Sequence, residues 1–217
     1  MKTTCLTSVL VVSCIMLLSG CGGSGSKAGS EATAVADNAA AATEAPASVI
    51  HKYGVKSGIV TFENNGFGMT FKNVLYFDDW GTKEAQETYD TDGTLKETSL
   101  CDGKNMYLLI HKDKAAFSRG ECFRGVAYKF DWQEASRGGA EYKPTKLSNQ
   151  NIAGKDCEAF SLEISGSKTT YAGWNNICFM IETPAMNEKV INKAVAFEEN
   201  ANIPAEKFKV PADYKMN

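Results

Sequence analysis

Apolar and polar residues alternate in short runs along most of the chain after residue 57. The longest run covers residues 67 to 77. Its apolar side consists of Phe67, Met69, Phe71, Leu75 and Phe77. Similar runs cover residues 105 to 111, 157 to 164 and 177 to 182, with turn residues between them. A period of two residues is typical of strands with one apolar face, so the pattern predicts consecutive antiparallel strands.

The runs add up to about nine to eleven strands, and a strongly twisted sheet of that size has to curl. Alternation is lost between residues 120 and 150, where 131–140 fits either a short helix or a loop. Near the C-terminus, Pro204 predicts a one-turn helix with Phe208 as its inward anchor. The predicted fold is therefore mainly β: a curved antiparallel sheet, or half-barrel, with one or two short helices.

The aligned apolar positions of these strands form the candidate ligand face. Its members are Phe67, Met69, Phe71, Leu75, Phe77, Met106, Leu108, Ile110, Phe160, Leu162, Ile164, Phe179 and Ile181. Leaving this set in water would cost on the order of 2 kcal/mol per side chain. Two alternatives follow: the sheet and residues 120–150 close a dry core, or a concave face stays partly open for an apolar ligand.

The first 20 residues carry one early charge, Lys2, and then only apolar and small residues. This layout is typical of a secretory signal peptide and is too short for a permanent membrane span. The run ends in Leu18-Ser19-Gly20-Cys21, which resembles the lipobox of bacterial lipoproteins. The resemblance implies cleavage before Cys21 and acylation there by chains such as palmitate, which together anchor a protein to a membrane. A free cysteine after an ordinary signal peptide is the alternative.

Residues 22–48 contain no aromatic residue and consist mainly of Gly, Ala and Ser, so they predict a flexible linker. The expected organisation is a signal peptide at 1–20, a lipidated cysteine with its linker at 21–48, and one β-rich domain at 49–217. Gly22, rather than an aspartate, follows Cys21. By the same resemblance, this predicts a place in the cell envelope, and in a Gram-negative cell the periplasmic face of the outer membrane.

Charge excludes one class of partner. The chain carries 23 basic and 26 acidic residues, and loss of Lys2 leaves 22 against 26, a net charge of −4. No basic cluster longer than two residues exists, so nucleic-acid binding is not expected.

Four of the seven cysteines remain once the signal peptide and Cys21 are set aside: Cys101, Cys122, Cys157 and Cys178. An even number in an exported chain predicts two disulfides with three possible connectivities. Pairing of Cys101 with Cys122 and of Cys157 with Cys178 is preferred, because each pair would lie on nearby strands. Zinc is the less favoured alternative, since the chain lacks CxxC and HxxxH spacings.

Motifs for catalysis are weak. No GxSxG motif occurs outside the linker, and phosphate loops are absent. The segment Asp90-Thr91-Asp92-Gly93 is similar to the start of a calcium loop, but the twelfth position is Cys101 instead of glutamate, which favours a hairpin turn. We therefore expect no enzyme activity, no cofactor and no metal.

A second resemblance covers most of residues 56 to 215, through KSGIVTF, LYFDDWG, DGKNMYLLI, AGKDCEAFSLE and NIPAEKFKVPADY. The chain resembles bacterial lipoproteins of unassigned function that are grouped with the carrier and receptor of outer-membrane lipoprotein sorting, the LolA/LolB-like half-barrels. This resemblance implies a half-barrel whose concave face holds a lipid or the acyl chains of a lipoprotein. A tethered lipid-binding module is the first functional hypothesis. An envelope scaffold with a closed core and a protein partner is the alternative.

Overall fold

A computed structural model describes residues 51–122, 144–164 and 166–217. These residues form one open, curved sheet. Its strands are β1 Gly58–Gly66, β2 Met69–Asp78, β3 Lys83–Tyr89, β4 Leu95–Cys101, β5 Asn105–Ile110, β6 Ala115–Glu121, β7 Thr145–Ile152, β8 Lys155–Ile164, β9 Ser167–Trp174, β10 Ile177–Ala185, β11 Glu188–Glu199 and β12 Lys215–Met216. The mainly β fold is confirmed, but the predicted strand count was too low, since the described residues alone contain twelve.

The sheet consists of two antiparallel meanders joined by their outer strands. Strands β1 to β6 follow one another, as do β7 to β11, and β1 pairs with β11 to give the order β12-β6-β5-β4-β3-β2-β1-β11-β10-β9-β8-β7. Only β12 runs parallel to its neighbour, β6. The two strands that the sequence did not predict, β7 and β12, are the two edges of the sheet.

The residues Asn64-Asn65-Gly66 are of the types that favour turns, but they belong to β1, and the turn to β2 follows them. Phe67 and Gly68 both have positive φ angles, 52° and 69°, and connect the strands as a two-residue hairpin loop. Phe67 is therefore not on the strand, and 49% of its surface is exposed. Its assignment to the candidate ligand face was wrong, because a residue at a hairpin tip belongs to neither face of the sheet.

One core covers the side of the first meander that the candidate ligand face does not use. Cross-strand neighbours place Tyr76, Ala85, Leu100 and Leu109 on this side. Phe208 packs against it from a 3-10 helix at Ala205–Phe208, which confirms the predicted anchor. We call the buried residues of this cluster the Leu100 core: Ala85, Leu100, Leu109, Ala116 and Phe208.

A second core, the Phe77 core, includes Val60, Phe62 and Phe77 on the other side of the sheet, together with residues of β7 to β11. The second meander curls, since β7 approaches β11 within 8 Å between Cα atoms although three strands lie between them. An ion pair supports the curl, because Lys155 Nζ at the start of β8 lies 2.6 Å from Glu199 Oε2 at the end of β11.

The only helices among the described residues are two 3-10 turns, at Asp79–Gly81 and Ala205–Phe208. The possible helix at 131–140 lies outside the described residues, as do the signal peptide and the linker. In the part of the chain that the structure describes, no helix is long and apolar enough to cross a membrane.

Candidate functional site

The candidate ligand face is a real side of the sheet, as the register shows. Direct cross-strand neighbours share a face. One row of neighbours crosses from β8 to β2: Phe160, Tyr171, Ile181, Asn192, Asn64 and Phe71. A second row runs beside it through Leu162, Thr169, Thr183, Val190, Gly66 and Met69. The two meanders therefore contribute apolar residues to the same face.

Burial divides this face into a closed part and a partly open part. Phe77 and Phe179 are fully buried in the Phe77 core, and Leu162 is also buried. Eight of the other candidate side chains are only half-buried, and five of these eight lie on β2, β8 and β10. We call these five the Phe71 surface: Met69, Phe71, Leu75, Phe160 and Ile181.

The N-terminal segment closes the face at its Phe77 end. Tyr53 packs edge-on against Phe77, with ring centroids 4.6 Å apart, and its hydroxyl donates a hydrogen bond to Glu84. Lys52 Nζ lies 2.7 Å from the other carboxylate oxygen of Glu84. Burial raises the pKa of Tyr53, and the Glu84 carboxylate raises it further. These contacts leave the end near Met69 and Phe71 as the partly open end.

The β5 residues Met106, Leu108 and Ile110 lie on the same face but apart from the Phe71 surface. Across the row that contains Leu75, the next neighbours are Gln86, Ser99 and then Leu108. Strands β3 and β4, which are polar on this face, therefore separate β2 from β5. The sequence predicted an apolar face for β5. The buried residue of this strand is Leu109, however, and it belongs to the Leu100 core on the opposite side of the sheet.

A network of charged and hydroxyl groups fixes the C-terminal segment beside the Leu100 core. Glu87 is 5% exposed, and its two carboxylate oxygens accept from Lys207 Nζ and Tyr89 Oη, each at 2.6 Å. His111 lies between Thr98 Oγ1, 2.7 Å from Nε2, and Tyr214 Oη, 2.6 Å from Nδ1. Burial lowers the pKa of His111. The buried polar groups of this network are thus paired.

One predicted disulfide is present, between Cys101 and Cys122. Cys122 follows β6 and donates its N–H to the carbonyl of Lys104 in the β4–β5 turn, 2.9 Å away. This hydrogen bond holds Cys122 beside the β4–β5 turn, where its Cα atom lies 5.6 Å from that of Cys101.

The second predicted disulfide is absent, because Cys157 and Cys178 are free thiols. Strand β9 lies between their strands, β8 and β10, and two strand spacings amount to about 10 Å, beyond the reach of a disulfide. Burial raises the pKa of Cys157 to about 11 and that of Cys178 to about 12. Both thiols therefore stay protonated at neutral pH and are poor nucleophiles.

The acidic segment at Asp90 forms the expected hairpin turn. Gly93 donates its N–H to the carbonyl of Asp90, and Thr94 donates its N–H to the Asp92 carboxylate at 2.8 Å. These bonds to Thr94 lower the pKa of Asp92. Within the described residues, no group of three or more His, Cys, Asp or Glu side chains is placed to hold a metal ion.

Two polar residues of this face were not predicted from the sequence. The side-chain oxygens of Asn73 and Asn192 are buried and have no hydrogen-bond partner. A signal was available, since Asn73 interrupts the apolar side of the β2 run between Phe71 and Leu75. Asn192 had no such signal, because β11 alternates weakly.

No protein-family model and no curated protein matches this chain. Solved structures are similar to it. An uncharacterised conserved protein from Thermus thermophilus aligns over 77% of this chain and 93% of its own, with a TM-score of 0.52 and 8% identity. MucB aligns over 76% of this chain and 60% of its own, with a TM-score of 0.50 and 8% identity.

MucB in its complex with MucA, from Pseudomonas aeruginosa, aligns over 73% of this chain and 57% of its own, with a TM-score of 0.50 and 7% identity. At such low identities the similarity shows the fold alone. That fold is the half-barrel implied by the resemblance to the lipoprotein carrier and receptor.

Proposed function

We propose that this protein is a lipoprotein tethered in the cell envelope, whose half-barrel binds a lipid, an acyl chain or another apolar ligand without catalysing a reaction. The Phe71 surface is the observation that carries the proposal. It gathers half-buried apolar side chains from both meanders on one face, and covering them with a ligand removes more apolar area from water.

The tether is the part of the proposal that rests on the sequence. Acylation of Cys21 and a flexible linker would hold the domain near one membrane face, and in a Gram-negative cell we place it on the outer membrane. Cys21→Ser should release the exported protein from the membrane fraction. Retention of the variant in that fraction would contradict the lipid anchor.

Ligand binding is tested on the chain from residue 21 with Cys21→Ser, so that its own acyl chains are absent. We expect native mass spectrometry to detect co-purifying lipid, and a fluorescent fatty acid to bind. Phe71→Ala should weaken this binding several-fold. Phe117→Ala is the matched control, because Phe117 is a half-exposed aromatic residue on the same face beyond Leu108. Absence of both lipid and probe binding would rule out the proposal.

A protein partner in the envelope is the second candidate function. It is supported by the structure of MucB, a protein of the same fold, in complex with MucA. Crosslinking in cells would favour this candidate if it captured one specific envelope protein through Phe71 while the purified chain carried no lipid.

A further inference from the structure

The orphaned oxygens of Asn73 and Asn192 indicate what kind of ligand the Phe71 surface takes. Buried side-chain acceptors without a partner are rare, and each one costs free energy because it has lost its hydrogen bonds to water. Such groups therefore call for a specific explanation.

Both amides lie among the residues of the Phe71 surface. Asn73 lies on β2, with Phe71 two residues before it and Leu75 two residues after it on the same face. Asn192 lies on β11, with Ile181 as its direct neighbour on β10. Strand β1 separates the two amides, since Phe62 neighbours Asn73 and Asn64 neighbours Asn192. The Phe71 surface thus has two unpaired acceptors beside its apolar side chains.

The opposite side of the same sheet shows that this chain can pair its buried polar groups. Glu87 has Lys207 and Tyr89, and His111 has Thr98 and Tyr214. Local rules of this kind are broken mainly at functional sites. An outside group that donates hydrogen bonds to Asn73 and Asn192 would remove the cost that the ligand-free fold carries.

Oxygen acceptors select the chemistry of that group. A carboxylate or phosphate offers only more oxygen acceptors, whereas a hydroxyl or an amide N–H can donate. Strand β1 lies between the amides, and their positions are offset by two residues along it, so their backbones are about 12 Å apart and one hydroxyl cannot serve both. The polar part of the ligand therefore needs at least two donors.

We infer that the Phe71 surface takes an uncharged amphiphile, whose chain covers the apolar side chains and whose hydroxyl or amide donors bind Asn73 and Asn192. This inference rests on the proposed function, and it adds a preference for donors over anionic or donor-free headgroups. Monoacylglycerols have this chemistry.

The first test compares three probes that share one acyl chain, on the chain from residue 21 with Cys21→Ser. We expect 1-monooleoylglycerol to bind about tenfold more tightly than methyl oleate or oleate, as two hydrogen bonds of ordinary strength imply. Equal binding of all three would overturn this inference and leave the proposed function standing. Binding of none would overturn both.

The second test replaces the amides by a side chain of similar size. In the Asn73→Leu/Asn192→Leu variant, the preference for 1-monooleoylglycerol should disappear while methyl oleate still binds. Its thermal midpoint should rise, because two unpaired acceptors are removed. Asn64→Leu is the control for stability, since its oxygen is not among the orphaned ones, and it should bring no such rise. A lower thermal midpoint together with an unchanged preference for 1-monooleoylglycerol would overturn the inference. The three-probe comparison of the first test does not depend on the folding of this variant.

Discussion

The two faces of this sheet are made from the same strands but differ in how far their side chains are buried and their polar groups paired. On one face, the C-terminal segment covers the Leu100 core, and Phe208 is 4% exposed there. On the other face, the Phe71 surface stays half-buried and contains two acceptors without partners. Strand β5 shows the difference between consecutive residues, since Leu109 is buried and Leu108 is not.

The contrast separates residues that serve the fold from residues available for binding. The C-terminal segment that covers the Leu100 core also provides partners for the buried polar groups of the Glu87 and His111 network. Where acceptors remain unpaired, the fold carries a free-energy cost that a hydrogen-bond donor from a ligand would remove. Substitutions in the Leu100 core should therefore lower stability, whereas apolar substitutions in the Phe71 surface should mainly change binding.

The largest expected loss of stability comes from a substitution in the Leu100 core. Leu109→Ala should lower the free energy of unfolding by about 3 kcal/mol, because it leaves a cavity in the Leu100 core. Leu108→Ala, one residue away and half-buried, should cost about 1 kcal/mol. Urea denaturation of both variants measures the difference. Equal costs would mean that the two faces are equally well packed.

An intermediate effect is expected from the ion pair that holds the C-terminal segment. Lys207→Met should cost about 2–3 kcal/mol, because it leaves the buried Glu87 carboxylate without its cation. The double variant Glu87→Leu/Lys207→Met should recover most of this loss. A double-mutant cycle in urea checks both expectations, and a double variant as unstable as Lys207→Met alone would contradict them.

The smallest effect concerns pH. Burial lowers the pKa of His111 in the folded protein, so the unfolded chain binds the additional proton first as pH falls. Stability should therefore decrease below about pH 6.5, the ordinary pKa of histidine. Glu87, Lys207 and Tyr214 face the ring, and the first two have opposing effects on its pKa.

His111→Gln isolates this contribution. The difference in urea midpoint between the unmodified protein and the variant should change between pH 7.5 and pH 5.5, in the direction of greater loss for the unmodified protein. A constant difference would show that His111 does not take up a proton on unfolding.

Strong alternation of apolar and polar residues made most strands predictable. The two edge strands of the sheet lack this alternation and were not predicted. The runs at 67–77, 105–111, 157–164 and 177–182 all form strands, with shifts of a few residues at their ends. The missed strands, β7 and β12, have a neighbour on one side only. In β7, most side chains are exposed on both faces, so burial imposes no alternation on its sequence.

The candidate site was predictable as a face but not in its details. Register places Phe71, Phe160 and Ile181 on one face of the sheet, as the alternation indicated. Alternation could not tell which apolar residue of β5 is buried, because Leu108 and Leu109 are chemically identical. Nor could it show that Cys157 and Cys178 lie two strands apart, since strand order is a property of the whole sheet.

The pairing of β1 with β11 has a consequence for how the chain folds. Each meander is built from local hairpins, which form quickly, whereas the β1–β11 seam joins residues from almost opposite ends of the domain. Until β11 pairs with it, β1 is an edge strand with unpaired backbone groups and can pair with another chain. Because synthesis starts at the N-terminus, β1 spends the time before β11 is made in this state, so a chaperone that shields β1 should matter most then.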